Sequence, residues 1–137
     1  MPKQINRIML SEHFSLHEFA CPCCGMVKVH PRLIEALEKL RLALGQPIPI
    51  EQGCRCRAYH FALYYKINKD RIERGLSTLE IPEFSKHLEG LAVDLRLTPH
   101  KDDIPTYKSC GFNGIGIGKY KLHLDVRKGP YAYWEYE

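Results

Sequence analysis

Between residues 31 and 44, apolar side chains recur at helical spacing. Leu33, Ile34, Leu37, Leu40 and Leu44 fall on one face. Pro31 suits the first helical position and Gly45 follows the end, so a helix over 31–44 is predicted, with that stripe turned to the core. Arg57 to Lys66 repeats the period, with Ala58, Phe61, Ala62 and Tyr65 expected inward. Ser15-x-x-Glu18 reads as a capping box on a short helix. A short strand is predicted near Ile48 to Glu51, and Pro47 and Pro49 confine it to a sheet edge or a strand start. Ala92 to Leu97 alternates like a strand. A helical turn around Lys101 to Ser109 precedes two or three antiparallel strands, over 114–120, 121–127 and 131–136. The elements predict an α+β fold, a small antiparallel sheet flanked by helices. The 66–82 segment is highly charged, with Gly75 and Pro82 as breakers. It reads either as an ordered lid beside a cleft or as a solvated insertion.

The alternating segments sort their chemistry by face. Asp94 and Ala92 share one side of the first, while Val93, Leu95 and Leu97 share the other. In Lys121 to Arg127, Leu122, Leu124 and Val126 form an apolar face, opposite Lys121, His123, Asp125 and Arg127. His87 precedes Gly90, which lets the chain turn sharply. His87, Asp94 and His123 are therefore candidate metal ligands. Two neutral imidazoles and a carboxylate suit Zn²⁺, and three protein ligands leave a fourth position open. The blander reading is a surface or core histidine beside an aspartate.

Composition is that of one ordinary domain over 1–137. The 137 residues are 45% hydrophobic and 26% charged, enough to bury a core. No apolar run approaches the ~18 residues of a membrane span. Met1 to Leu10 carries charge but no apolar stretch, which predicts no secretory signal and a chain that stays in the cytoplasm unless something else releases it. The net charge of +4 would favour an anionic partner such as cell-wall polymer, or mean only a soluble surface. There is no internal repeat or low-complexity segment.

The ten-residue run Ser85-x-His-x-x-Gly-x-Ala-x-Asp94, followed by His123-x-Asp125, resembles the signature of the zinc D,D-peptidases that cut bacterial cell-wall peptides. The D-Ala-D-Ala carboxypeptidases and dipeptidases, several phage endolysins and the hedgehog signalling domain share that fold. Three further blocks extend the resemblance in the same order. Phe14-Ser-Leu-His-Glu-Phe-Ala-Cys21 looks like the opening of the short branch of that group. Ile48-Pro-Ile-Glu-Gln-Gly-Cys-Arg55 stands where the family runs a strand into a Ser-Gly-Tyr-Arg turn. Gly114-Ile-Gly-Ile-Gly-Lys-Tyr120 is similar to the glycine-rich strand before the last zinc histidine.

The resemblance implies a hedgehog/DD-peptidase-like fold and a monomeric zinc metallopeptidase. Its substrate would be a peptidoglycan peptide containing D-amino acids. D,D-carboxypeptidase, cross-link endopeptidase and dipeptidase activities all remain open. Zn²⁺ would be held by His87, Asp94 and His123. Arg55 would stabilise the oxyanion or bind a substrate carboxylate, for which its planar fork is suited. Ser85 would orient a ligand or the substrate. A lone domain of this length resembles a phage or prophage lysis enzyme that reaches the wall after release.

The chain departs from the family at two places. Many relatives carry an acidic base three positions before the last zinc histidine, and Tyr120 stands there. Asp125 is the expected substitute, because i+2 on a strand returns it to the His123 face. Its alternative role is to fix an imidazole or pair with Arg127. Glu89 lies inside the motif but is expected to point away from a metal. Cys54 replaces the usual tyrosine before Arg55.

Six cysteines fall into clusters. Cys21-x-x-Cys24 fits a zinc half-site that Cys56 or Cys54 would complete. A disulfide between the clusters and simple reduced thiols are the alternatives. Two other functional classes compete with the peptidase. One is a non-catalytic zinc module of the same fold that binds cell wall or a protein partner, which the Tyr120 departure favours. The other is a nucleic-acid binder with a cysteine knuckle, which leaves His87, Asp94 and His123 unexplained and lacks aromatic-basic alternation. No nucleic-acid partner is therefore expected.

Overall fold

A computed structural model describes residues 8–82 and 85–136. The opening segment that predicts no secretory signal thus falls mostly outside the described residues. Among these residues the fold is α+β, with three α-helices and a five-stranded mixed sheet. The helices are α1 (Pro31–Leu44), α2 (Arg57–Glu73) and α3 (Ile104–Ser109). The strands are β1 (Ile50–Gln52), β2 (Ala92–Leu95), β3 (Gly114–Ile117), β4 (Leu122–Asp125) and β5 (Ala132–Glu135). Their order across the sheet is β1-β2-β4-β3-β5. No described helix is long and apolar enough to cross a membrane.

Helix α1 has the predicted bounds. The His30 imidazole Nδ1 accepts the Arg32 N–H at 3.1 Å, and Gly45 closes the helix in the left-handed region at φ 66°. Its apolar stripe of Leu33, Ile34, Leu37 and Leu40 is buried. It joins Val93, Leu95, Ile115, Ile117, Leu122 and Leu124 in one core with Phe14, Phe19 and Phe112. Each fully buried leucine contributes about 1.5–3 kcal/mol. The core covers one sheet face and leaves the other to the polar side chains.

The sheet differs from the expected antiparallel arrangement at its last strand. β1, β2, β4 and β3 pair antiparallel in turn, but β5 runs parallel to β3. The reason lies in β4, whose two edges are already taken by β2 and β3. A strand that reverses direction after β4 finds no free edge there. It pairs with the outer edge of β3 instead, which it must then follow in parallel. Asn113 holds this crossing: its side-chain amide donates to the Arg127 and Gly129 carbonyls at 3.3 and 2.8 Å. Its own carbonyl accepts the Ala132 N–H at 2.9 Å.

Helix α2 also departs from expectation. It runs seven residues beyond Lys66, and the face expected inward is outward. Ala58, Phe61, Ala62 and Tyr65 are exposed, Tyr65 at 75%. His60 is instead the buried residue of the helix. Its face carries half-buried Leu63, Tyr64 and Ile67. Polar anchoring rather than an apolar stripe decides this rotation. His60 Nε2 meets the Pro82 carbonyl at 2.7 Å, and Nδ1 faces Arg55 Nη1 at 3.3 Å. The charged 66–82 segment is neither a free lid nor a loose insertion. Its first half continues α2, and the rest folds back on the helix. The Asn68 amide exchanges two hydrogen bonds with the Leu79 backbone, at 2.7 and 3.0 Å, and Arg71 Nε donates to the Ser77 carbonyl.

Gly90 sits at φ 74° between His87 and β2, where a Cβ would lie 2.5 Å from the Lys28 carbonyl oxygen. Gly90→Ala should therefore cost about 2–4 kcal/mol, combining left-handed strain with overpacking against fixed backbone. Chemical denaturation measures this, and a loss below about 1 kcal/mol would contradict the assigned turn.

Candidate metal centre

Strand register brings the polar side chains into rows on the open sheet face. Gln52 pairs with Asp94, Asp94 with His123, His123 with Gly116, and Gly116 with Trp134. One step along, Ala92 pairs with Asp125 and Asp125 with Gly114. His87 enters from the turn before β2. Ser85 shapes that turn: its hydroxyl accepts the His87 N–H at 3.3 Å, and its carbonyl accepts the Leu88 N–H. It acts on the backbone of His87, not on the imidazole.

His87, Asp94 and His123 converge. Their ligand atoms all lie within 4.8 Å of one another, the spacing of a group that could hold a metal ion. Asp94 Oδ1 stands 3.3 Å from His87 Nε2 and 3.1 Å from His123 Nδ1. His87 Nδ1 lies 2.7 Å from the Gly53 carbonyl, so it carries the proton and leaves Nε2 with a free lone pair. That Nε2 is buried and has no hydrogen-bond partner. A buried nitrogen with an unused lone pair, aimed at a carboxylate oxygen, fits a cation between them.

Protonation energetics agree. Burial pushes the His87 pKa below its ordinary value, against the pull of Asp94, and so favours the neutral ligand form. Burial alone would raise the Asp94 carboxyl. The hydrogen bond from His123, with the charge that His87 and His123 carry when protonated, more than offsets this and holds it well below the usual carboxylate range. Burial opposes charge on His123, yet Asp125 and Asp94 raise its pKa. Without a cation, a proton on His123 balances the two carboxylates.

Asp125 shares the His123 face, as the alternation predicts, but its oxygens are occupied. Oδ2 is 2.8 Å from His123 Nε2 and accepts Arg127 Nη2 at 2.7 Å. Oδ1 accepts the Arg127 Nε and backbone N–H at 2.8 and 3.1 Å. The carboxylate is fully buried. It stands behind the imidazole, at the nitrogen opposite the one facing Asp94. Burial would raise its pKa, and Arg127 and His123 instead hold it well below the usual range.

Arg55 is buried beside the trio, with Nη2 3.4 Å from Asp94 Oδ2. Its Nε donates to the Gln52 side-chain carbonyl, and Nη1 donates to His60 Nδ1. Two of the five guanidinium N–H donors remain for another acceptor. Glu89 turns to Lys86 at 3.1 Å, away from the trio, and Tyr120 is 68% exposed.

The glycines of β3 explain how this face is built. A Cβ on Gly114 would lie 2.3 Å from either Asp125 oxygen, and one on Gly116 would lie 2.5 Å from Trp134 Nε1. A Cβ on Gly118 would touch the Tyr136 ring at 3.0 Å. Asp125, Trp134 and Tyr136 thus lie down across a strand that has no side chains to obstruct them. Trp134 packs on His123 with ring centroids 5.0 Å apart, and Arg127 stacks on the same indole at 5.3 Å. Burial, with the charges of Asp94 and Glu51, keeps the Tyr136 phenol protonated.

His60, Gln52, Trp134 and Tyr136 were not among the expected site residues. The 131–136 strand carried a signal for the last two, since its alternation places Trp134 and Tyr136 on one face. A cavity of about 560 Å³ lies elsewhere, walled by Leu10, Val29, Pro31 and Ile34. The cysteines form a separate group. Cys21, Cys23, Cys24 and Cys56 cluster, whereas Cys54 and Cys110 are buried apart from it, and none of the six is in a disulfide. Comparison with protein-family models and with curated proteins finds no match.

Asp125→Asn should lower zinc affinity roughly 10–100-fold, because an amide holds the His123 ring and its tautomer less firmly than a carboxylate. Competition with a chromophoric chelator reads this directly. Unchanged affinity would remove Asp125 from the support of His123.

Proposed function

We propose that the protein is a zinc-dependent peptidase that hydrolyses D-amino-acid-containing peptide bonds of bacterial peptidoglycan, as a D,D-carboxypeptidase or cross-link endopeptidase. The observation that carries the reading is the convergence of His87 Nε2, Asp94 Oδ1 and His123 Nδ1 beside the guanidinium of Arg55. The donor set of two imidazoles and one carboxylate suits Zn²⁺ with an open position. The substrate class rests on the resemblance of the four sequence blocks to zinc D,D-peptidases, and on their order.

When bound, Zn²⁺ supplies Lewis-acid polarisation of a carbonyl oxygen and acidifies water. The chain's own residues do the positioning. Asp125, neutralised by Arg127, accepts the His123 Nε2–H and keeps Nδ1 turned to Asp94. With its oxygens so engaged, Asp125 serves to orient His123 and not as the general base. Arg55 offers its remaining N–H donors to a substrate carboxylate or a developing oxyanion. Tyr136, kept protonated, is a hydrogen-bond donor and not a proton acceptor. Trp134 gives the face an apolar wall.

A second reading is a zinc-bearing module of the same fold that binds cell wall or a protein partner without cutting. One observation favours it: Tyr120 occupies the place of the usual acid and points to solvent, while Asp125 is engaged. The two readings separate in one assay. Purified peptidoglycan peptides are incubated with the zinc-loaded protein, and products are identified by mass spectrometry. The peptidase reading predicts release of D-alanine or cleavage of a cross-link, abolished by chelator and restored by zinc. Arg55→Lys should lower kcat/KM by about 10²–10³-fold with the fold and zinc content intact. Binding without any product at full zinc occupancy would sink the peptidase and leave the module.

A further inference from the structure

We infer that Cys21, Cys23, Cys24 and Cys56 form a second, closed zinc site of four thiolates, whose task is to fasten the turn that carries Arg55. This site is independent of the His87, Asp94 and His123 trio.

The geometry comes from two short pieces of chain. Cys21 to Gly25 folds into a tight turn: the Gly25 N–H donates to the Cys21 carbonyl at 2.9 Å, and the Cys21 N–H donates to Met26 at 2.8 Å. Gly25 makes the turn possible at φ 75°. Three sulfurs therefore leave one turn on the same side. The fourth comes from Cys56, the N-cap of α2, whose sulfur accepts the Tyr59 N–H at 3.4 Å. A helix N-terminus favours a thiolate. All four sulfurs lie within 4.8 Å of one another.

The separations fit sulfurs gathered around a metal and speak against a disulfide. Zn–S bonds of about 2.3 Å in a tetrahedron put sulfurs about 3.8 Å apart, whereas a disulfide needs about 2.05 Å. Here Cys21 and Cys23 are 3.8 Å apart, and Cys23 and Cys56 are 3.3 Å apart. The Cys56 N–H donates to Cys21 Sγ at 3.3 Å, a bond that stabilises a metal-bound thiolate. Four sulfurs so close cannot all ionise unless a cation neutralises them. With four protein donors the tetrahedron is complete, which marks a structural site and not a catalytic one.

Its placement gives it consequence. The residues just before Cys56 hold the other centre in place. The Gly53 carbonyl fixes the His87 tautomer, the Cys54 N–H donates to Phe19 at 3.0 Å, and the Arg55 N–H donates to the His87 carbonyl at 3.3 Å. Cross-linking Cys56 to the Cys21–Cys24 turn clamps the C-terminal end of this segment, and metal binding becomes folding free energy for it.

Zinc analysis of the full-length protein, purified under reducing conditions, tests the site. Wild type should carry two zinc ions per chain, and His87→Ala should keep one. The Cys23→Ser/Cys24→Ser double variant should lose the other. If that variant fails to fold, the His87→Ala protein supplies a second readout. Cobalt substitution should then give an intense thiolate-to-cobalt charge-transfer band, and a mercurial reagent should release one zinc as four thiols react. A His87→Ala protein free of metal, a disulfide between these cysteines in the intact mass, or iron in place of zinc would each overturn the proposal.

Discussion

The Asp94 carboxylate is the constraint on which the polar half of the molecule depends. It is shared by two imidazoles and a guanidinium in a place where burial works against its charge. Removing an ion from water costs several kcal/mol, so such a carboxylate persists only if positive charge is supplied close by. Arg55 supplies part of it. The remainder comes either from a proton shared with the imidazoles or from a cation between them. Proton and metal then compete for one place, and acid should displace the metal. Burial disfavours a second proton on His87 even beside Asp94, which leaves the Nε2 lone pair for a cation.

Around that carboxylate the fold works to hold directions. The Gly53 carbonyl fixes one imidazole, and Asp125 fixes the other through its far nitrogen. Arg127 holds Asp125 in turn and stacks on Trp134, which packs against His123. Asp125 and Trp134 lie against β3 at Gly114 and Gly116, and Tyr136 lies against Gly118 just beyond it. The glycines at 114, 116 and 118 are therefore part of the site although they carry no functional group. Arg55 is held the same way from the opposite side, by Gln52 and His60. His60 Nε2 is tied to Pro82, so the tautomer that accepts from Arg55 is set by the segment folding back from α2.

Much of the site was legible because it depends on local rules. Strand alternation put Asp94 opposite Val93 and Leu95 in one segment, and His123 with Asp125 opposite Leu122 and Leu124 in another, and Gly90 marked the turn after His87. Helix α1 declared its bounds through Pro31, Gly45 and a leucine stripe. What sequence pattern missed was set by distant partners. β5 follows β3 because both edges of β4 were already taken, which no window of residues reveals. The rotation of α2 was misjudged because Phe61 and Tyr65 offered the stronger apolar signal, while buried hydrogen bonds at His60 determined the face. Asp125 lies where alternation placed it, but the occupation of its oxygens by Arg127 required the folded strand. Cys23 joined the thiol cluster because the Cys21–Gly25 turn is tight enough to aim three sulfurs together, and Cys54 points into the interior instead.

The central claim is that His87 Nε2, Asp94 Oδ1 and His123 Nδ1 define one metal position. The most direct test is an anomalous difference map at the zinc edge from crystals of the zinc-loaded protein. The account predicts a peak about 2.0–2.2 Å from each of these three atoms, with His123 Nε2 still hydrogen-bonded to Asp125. A peak bound to His123 Nε2, or zinc present in the crystal with no density among these three side chains, would contradict it.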